Sequence, residues 1–146
     1  MKNKHPIHLL LVEDNLADIR LIQETLNNRD YDYELTVTRN GEEALQLLRK
    51  EESFAAAVTP NLIILDLNIP RKSGHELLEI IKEDHHLRRI PVIVMSSSLS
   101  DEDIRKSYEL QANCYIPKPL DYDRYVLIIQ AIESFWFKLV RLPEDI

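Results

Sequence analysis

A doubly wound α/β domain, with a five-stranded parallel sheet and five helices, follows from three features of the sequence. Short aliphatic runs alternate with amphipathic segments along the whole chain. Three of those runs, at 9–12, 62–65 and 92–95, are apolar on both faces, as strands in the middle of a parallel sheet must be. The segments between runs are long enough for right-handed helical crossovers.

The elements follow in order. Ile7–Val12 is the first strand. Asn15 carries the short acceptor side chain that closes a helix start, and Ile19, Ile22 and Leu26 mark one face of the helix behind it. Tyr33–Thr38 alternates as a half-buried edge strand does. Asn40-Gly41 turns the chain into a helix carrying Ala44, Leu45 and Leu48. Leu62–Leu65 is a continuous aliphatic strand ending at Asp66. Ser73 and Glu76 have capping-box spacing ahead of Leu77, Leu78 and Ile81. Residues 91–95 make the fourth strand. Ser100 caps an acidic first turn, Asp101-Glu102-Asp103, which suits the positive end of a helix dipole. Residues 114–116 make a short fifth strand, and Asp121 caps a final helix reaching at least Phe137. The weaker second and fifth strands belong at the edges and the aliphatic ones between them, which fits the order 2-1-3-4-5 known from flavodoxin-like sheets.

A length of 146 residues fits one domain, with a core over about 6–138, a tail over 139–146 and no effector domain. Apolar residues at 45% supply a core, and charged residues at 29% supply a hydrated surface. A net charge of −7 argues against direct nucleic-acid binding, which needs clustered Lys and Arg. Cys114 is the only cysteine, so no internal disulfide can form, and a lone thiol suits a reducing compartment. Residues 1–8 are polar and run straight into the first strand, with no signal peptide, and no apolar stretch approaches membrane-spanning length. These features together predict a cytoplasmic protein without membrane association.

In such sheets ligands bind beyond the carboxyl ends of the strands. Glu13 and Asp14 follow the first strand, Asp66 ends the third, Ser96 follows the fourth and Lys118-Pro119 follows the fifth. A single Asp or Lys in a loop is ordinarily solvated surface. The specificity lies in five groups reaching one sheet end in order. Clustered carboxylates disfavour full ionisation of one another, and a hard divalent cation relieves this. Few protein ligands and several retained waters suit Mg²⁺ better than Ca²⁺. A metal beside a carboxylate, with a lysine opposite, is an arrangement for phosphoryl transfer to that carboxylate.

The segments Leu-Leu-Val-Glu-Asp-Asn at 10–15, Ile-Ile-Leu-Asp-Leu-Asn-Ile-Pro at 63–70, Pro-Val-Ile-Val-Met-Ser at 91–96 and Tyr-Ile-Pro-Lys-Pro-Leu at 115–120 resemble response-regulator receiver domains, over nearly the whole chain. The resemblance implies a two-component phosphorelay protein, phosphorylated on Asp66 by a histidine kinase. It implies Asp14 as a direct Mg²⁺ ligand, Glu13 as a water-mediated one and Asn68 as a ligand through its backbone carbonyl. Ser96 would be the switch hydroxyl, Tyr115 the aromatic that changes rotamer with it, and Lys118 the phosphoryl partner. The Lys118–Pro119 bond is expected to be cis. Asn113 replaces a commoner Gly, which the left-handed tolerance of Asn would excuse; Ser96 replaces Thr; and the segment 51–60 is long. That loop, with Asn-Cys-Tyr-Ile and Glu-Ser-Phe-Trp, is similar to regulators paired with bacterial phytochromes, which implies a phytochrome kinase as the donor.

Two other functions share parts of this pattern. An aspartate-nucleophile phosphohydrolase would carry a second Asp two residues after the nucleophile, but Asn68 stands there and is a poor proton donor. The chain is therefore not expected to be an enzyme beyond losing its own phosphoryl group. A flavin carrier would need a Gly- and hydroxyl-rich loop after the first strand, whereas Glu13-Asp14-Asn15 repels phosphate. His85-His86 is a tempting metal pair, but adjacent residues diverge on a helix. His75, in a first helical turn, is expected to face solvent. The last helix carries more apolar residues than one buried face needs. Its surplus side, including Leu127, Ala131, Phe135 and Leu139, predicts a homodimer through the fourth helix, fifth strand and fifth helix.

Overall fold

Five parallel strands form one sheet in the order β2-β1-β3-β4-β5 in the computed structural model, which describes residues 6–26 and 33–143. They are β1 (Ile7–Val12), β2 (Tyr33–Thr38), β3 (Leu62–Leu65), β4 (Val92–Ser96) and β5 (Cys114–Pro117). Between and after them run α1 (Leu16–Thr25), α2 (Gly41–Leu48), α3 (Gly74–Glu83), α4 (Asp101–Glu109) and α5 (Tyr122–Ile132). Residues 1–5 and the last three of the expected tail lie outside the described residues.

The strand period divides the core in two. Leu10, Val12, Ile63, Leu65, Val92 and Val94 point to one face, against Ala44 and Leu48 of α2 and Leu77, Leu78 and Ile81 of α3. Leu9, Leu11, Leu62, Ile64, Ile93 and Met95 point to the other, against Ile19 and Ile22 of α1 and Ile129 and Ile132 of α5. Burial on both sides explains why β1, β3 and β4 read as unbroken aliphatic runs.

Each of the five α-helices opens on a side-chain cap. Asn15, Asn40, Ser73, Ser100 and Asp121 each accept from a backbone N–H of the first turn. Two strand starts are stapled in a similar way. Asn61 Oδ1 accepts from His8 N–H while Asn61 N–H donates to His8 O. Asn113 repeats this on Val92, with Oδ1 accepting at 2.9 Å and N–H donating at 2.9 Å. Asn113 is thus held by its side chain and not by a left-handed backbone; the positive φ in that turn belongs to Gln111, at 76°.

The final helix does not stay α-helical. It continues as a π-helical segment, Glu133–Leu139, that turns Phe137 inward against Tyr33 with ring centroids 5.7 Å apart. Leu142 also packs against this side of the core, so the ordered chain runs past the expected boundary at 138. His75 does not simply face water: its Nε2 lies 3.0 Å from Ser107 Oγ, joining α3 to α4. His85 and His86 touch each other edge to face, with centroids 5.6 Å apart.

Gly41 begins α2 where the β3–α3 loop passes directly over it, and its N–H donates to Pro70 O at 3.2 Å. A Cβ at this position would collide with the backbone carbonyl and Cβ of Lys72. Gly41→Ala should therefore cost about 1–3 kcal/mol through overpacking, in spite of alanine's better helix propensity. A lower urea midpoint at unchanged m value checks this, and an unchanged midpoint would show that the loop yields freely.

Candidate functional site

Backbone pairing that runs past the strand ends sets the site. Glu13 N–H donates to Thr38 O, and Asp66 N–H donates to Val12 O, each at 3.0 Å. Both carboxylates are thereby locked one residue beyond β1 and β3, and both are buried. On the far side Lys118 N–H donates to Ser96 O at 2.8 Å, which extends the β4–β5 ladder and aims the lysine stem back across the sheet end.

The lysine head closes the cluster. Lys118 Nζ donates to Glu13 Oε2 at 2.6 Å, to Asp66 Oδ2 at 2.9 Å and to Asp18 Oδ2 at 2.9 Å. The second oxygen of Asp66 accepts from Asn68 N–H at 3.1 Å, and Glu13 Oε1 accepts from Asn15 N–H at 3.1 Å. Asp14 stands at the rim, its carbonyl held by Arg39 Nη2 at 3.2 Å. Glu13, Asp14 and Asp66 each bring a carboxylate oxygen within 4.8 Å of the others. The Asn68 side chain is exposed.

Burial dominates the charge states. It raises the Glu13 carboxyl to about 7, aided by the nearby charge of Asp66 and opposed by the hydrogen bond from Lys118. Burial works to lower the Lys118 pKa, but the hydrogen bonds to Glu13, Asp66 and Asp18 outweigh it and hold the ammonium above its ordinary value. The site therefore has a permanent cation facing carboxylates that crowd one another.

Ser96 and Tyr115 sit one step further out. Ser96 is fully buried and its Oγ accepts from Ser98 N–H at 3.3 Å. Tyr115 is buried too, its hydroxyl donating to Ser98 O at 2.7 Å. Its backbone N–H donates to the Tyr108 hydroxyl of α4 at 3.1 Å. Ser98 Oγ in turn donates to Asp103 Oδ2 at 2.6 Å. The loop after β4 is thus tied both to the site and to the α4–β5 face.

One expectation is overturned: no described peptide bond is cis, so Lys118–Pro119 is trans. The two isomers of an X–Pro bond differ by only about 0.5–1 kcal/mol, so the surroundings decide. Around this bond, Lys118 N–H stays on Ser96 O and Leu120 just beyond points fully into solvent. Sequence reading also passed over Asp18 and Arg39. The Asn15-x-x-Asp18 spacing, with Asn15 accepting from Asp18 N–H at 3.0 Å, marks Asp18 only as a first-turn residue. Its reach toward Lys118 is a matter of how α1 packs on the sheet.

A parallel sheet with this order, carrying an acidic cluster and a lysine at its carboxyl end, is a receiver-type phosphotransfer domain in architecture. The chain belongs to the response regulator receiver domain family, whose model matches residues 9–130. It is 44% identical over 138 residues to the response regulator Rcp1 of Synechocystis sp., covering 94% of each chain. The structure of Mn²⁺-bound Rcp1 superposes with a TM-score of 0.92 at 43% identity, over 94% of this chain and 99% of that one. The phosphorylated cyanobacterial phytochrome response regulator RcpA gives 0.93 at 46% identity, over 96% and 100%. Among the described residues, no helix is long and apolar enough to cross a membrane.

Because the Glu13 carboxyl is raised from 4.5 to about 7 by folding, the folded metal-free protein holds a proton that the unfolded chain has lost across that window. Stability contributed by this group should therefore fall as pH rises from about 4.5 through about 7. Urea midpoints of wild type and Glu13→Gln, measured with chelator against pH, should differ by a curve that slopes downward over that range. A flat difference would mean that Glu13 ionises normally.

Proposed function

We propose that this protein is a phosphorylation switch in which Asp66 accepts a phosphoryl group from a partner histidine kinase. The placement of Lys118 carries this reading: it is a half-buried, permanently charged donor 2.9 Å from one Asp66 oxygen, opposite a group of further carboxylates. An Asp66 oxygen attacks the phosphorus of a phosphohistidine. The new P–O bond forms as the P–N bond breaks, and the departing imidazole keeps the electron pair. Lys118 then binds the phosphoryl oxygens, and the Ser96 hydroxyl donates to another.

The donor set fits a hard cation. Four carboxylates, those of Glu13, Asp14, Asp18 and Asp66, face one ammonium, so negative charge remains to be balanced. Asp14, Asp66 and the Asn68 carbonyl would hold Mg²⁺ directly, with Glu13 acting through water. When bound, the ion would neutralise the transferring phosphoryl group and the crowding beside it. Asn68 cannot act as the general acid of a phosphohydrolase, so turnover is limited to loss of the protein's own phosphoryl group.

The chain works as one receiver unit in the cytoplasm. Its relatives' names point to a kinase of the phytochrome type as the donor. The output runs through Ser96, Ser98 and Tyr115 to the face made by α4, β5 and α5. There Leu127, Ala131, Phe135 and Leu139 stand exposed at four-residue intervals. A stripe of this kind is best covered by its own copy about a twofold axis, which makes a homodimer.

With acetyl phosphate in Mg²⁺, intact mass should show one phosphoryl group on the wild type and none on Asp66→Asn. Labelling of the variant would remove Asp66 from the role. Phe135→Glu should shift sedimentation at micromolar concentration from dimer to monomer without loss of secondary structure. A monomeric wild type, with and without a phosphoryl mimic, would refute the dimer.

A further inference from the structure

Lys118 has three N–H bonds, and all are engaged, by Glu13, Asp18 and Asp66. Two of these acceptors also belong to the cluster that, with Asp14, could hold a metal ion. Asp18 does not belong to it. Asp18 stands in the first turn of α1, fixed there by the Asn15 cap. Beneath it lies Tyr125 of α5, 4% exposed, whose hydroxyl has no hydrogen-bond partner. Burial first, and the negative charge of Asp18 next, push the Tyr125 pKa upward, so the phenol keeps its proton. The Lys118–Asp18 pair is thus largely shielded, with side-chain exposures of 10% and 22%, and a charge-assisted hydrogen bond in such a place is strong.

A divalent cation would change the competition for the ammonium. Asp66 directly, and Glu13 through water, would turn lone pairs toward the ion, and the ion's own charge would repel the ammonium. A lysine head on a four-carbon stem, released from two of its three partners and repelled, would swing into water. Only Asp18 remains to oppose this.

We propose that Asp18 is a positioning residue for Lys118, the one anchor that keeps the ammonium at the strand ends after a cation has claimed Glu13 and Asp66. One N–H stays on Asp18 and two are left to meet the group arriving on Asp66. The consequence for phosphotransfer rests on the reading of Asp66 as acceptor; the anchoring itself does not.

The test follows the Lys118 ammonium by ¹⁵N NMR, its signal assigned by its loss in Lys118→Arg. Wild type and Asp18→Asn are compared with chelator and with saturating Mg²⁺. The wild-type signal should stay protected in both conditions. Asp18→Asn should match wild type without metal, where Glu13 and Asp66 still hold the lysine, and should exchange with water about tenfold faster in Mg²⁺, the order expected for one lost charge-assisted bond. Asp18→Glu, which keeps the charge on a longer arm, should fall between them and covers the case in which the Asn variant fails to fold. Tyr125→Phe should retain the protection, since the ring stays. An Asp18→Asn signal unchanged by Mg²⁺ would overturn the proposal. So would loss of protection already in chelator, which would make Asp18 a general structural partner, or loss of the wild-type signal on adding Mg²⁺. Acetyl phosphate labelling of Asp18→Asn in saturating Mg²⁺ should be slower by a similar factor. If wild type itself takes no label, the acceptor reading fails while the NMR result still decides the anchor.

Discussion

Three carboxylates meet one ammonium at one end of the sheet, with a fourth, that of Asp14, beside them. Glu13 comes from the end of β1, Asp66 from β3, Asp18 from α1 and Lys118 from β5, so the cluster ties four elements together across the top of the core. A buried carboxylate such as Glu13 is costly without a partner, and removing one member of a buried pair is worse than never having built it. The surroundings are arranged to prevent that. The ladder continues one step past each strand to hold the acidic residues, and the Lys118 N–H bond to Ser96 O sets the lysine to return across β4 and reach them.

The strand order makes this charge geometry possible. β1 and β3 are neighbours, so Glu13 and Asp66 are brought side by side, whereas β5 lies at the edge beyond β4. A short side chain after β5 would not reach; lysine, with its long apolar stem and compact charged head, does. The same order places Ser96 between the two halves, at the end of β4. A change at Asp66 is therefore adjacent to the residue whose loop holds the Tyr115 hydroxyl through Ser98. The contacts of Tyr108, Asp103, Ser107 and His75 extend that path into α4 and α3.

Membership of the receiver family and the local geometry agree on what the site is for, but they inform different things. The family match covers residues 9–130 and speaks to the fold and to the general chemistry. The exposed apolar stripe, the π-helical turn that carries Phe137 inward and the contact of Asp18 with Lys118 belong to the packing of this chain. The π-helical segment also explains how a helix end so rich in apolar residues divides them: Phe137 enters the core while Phe135 and Leu139 remain outside.

Much of this was legible before any coordinates. Aliphatic runs flanked by polar turns defined β1, β3 and β4, because burial on two faces leaves no room for polar side chains, and alternation marked β2 as an edge. The five helix starts were readable from Asn15, Asn40, Ser73, Ser100 and Asp121, because capping is a local hydrogen bond within a few residues. The acidic pair, Asp66, Ser96 and Lys118 could be gathered at one edge, because parallel topology sends every strand's carboxyl end the same way. What lay beyond reach was decided between elements distant in sequence. Asp18 meets Lys118 across 100 positions, Asn113 pairs with Val92 across 21 and His75 finds Ser107 across 32. The proline isomer depends on a small energy difference that only the surrounding contacts can tip. The sequence alone determined which residues could be buried, capped or charged; the tertiary structure decided which of them touch, because long-range contacts follow from how helices dock on the sheet and leave no periodic trace in the chain.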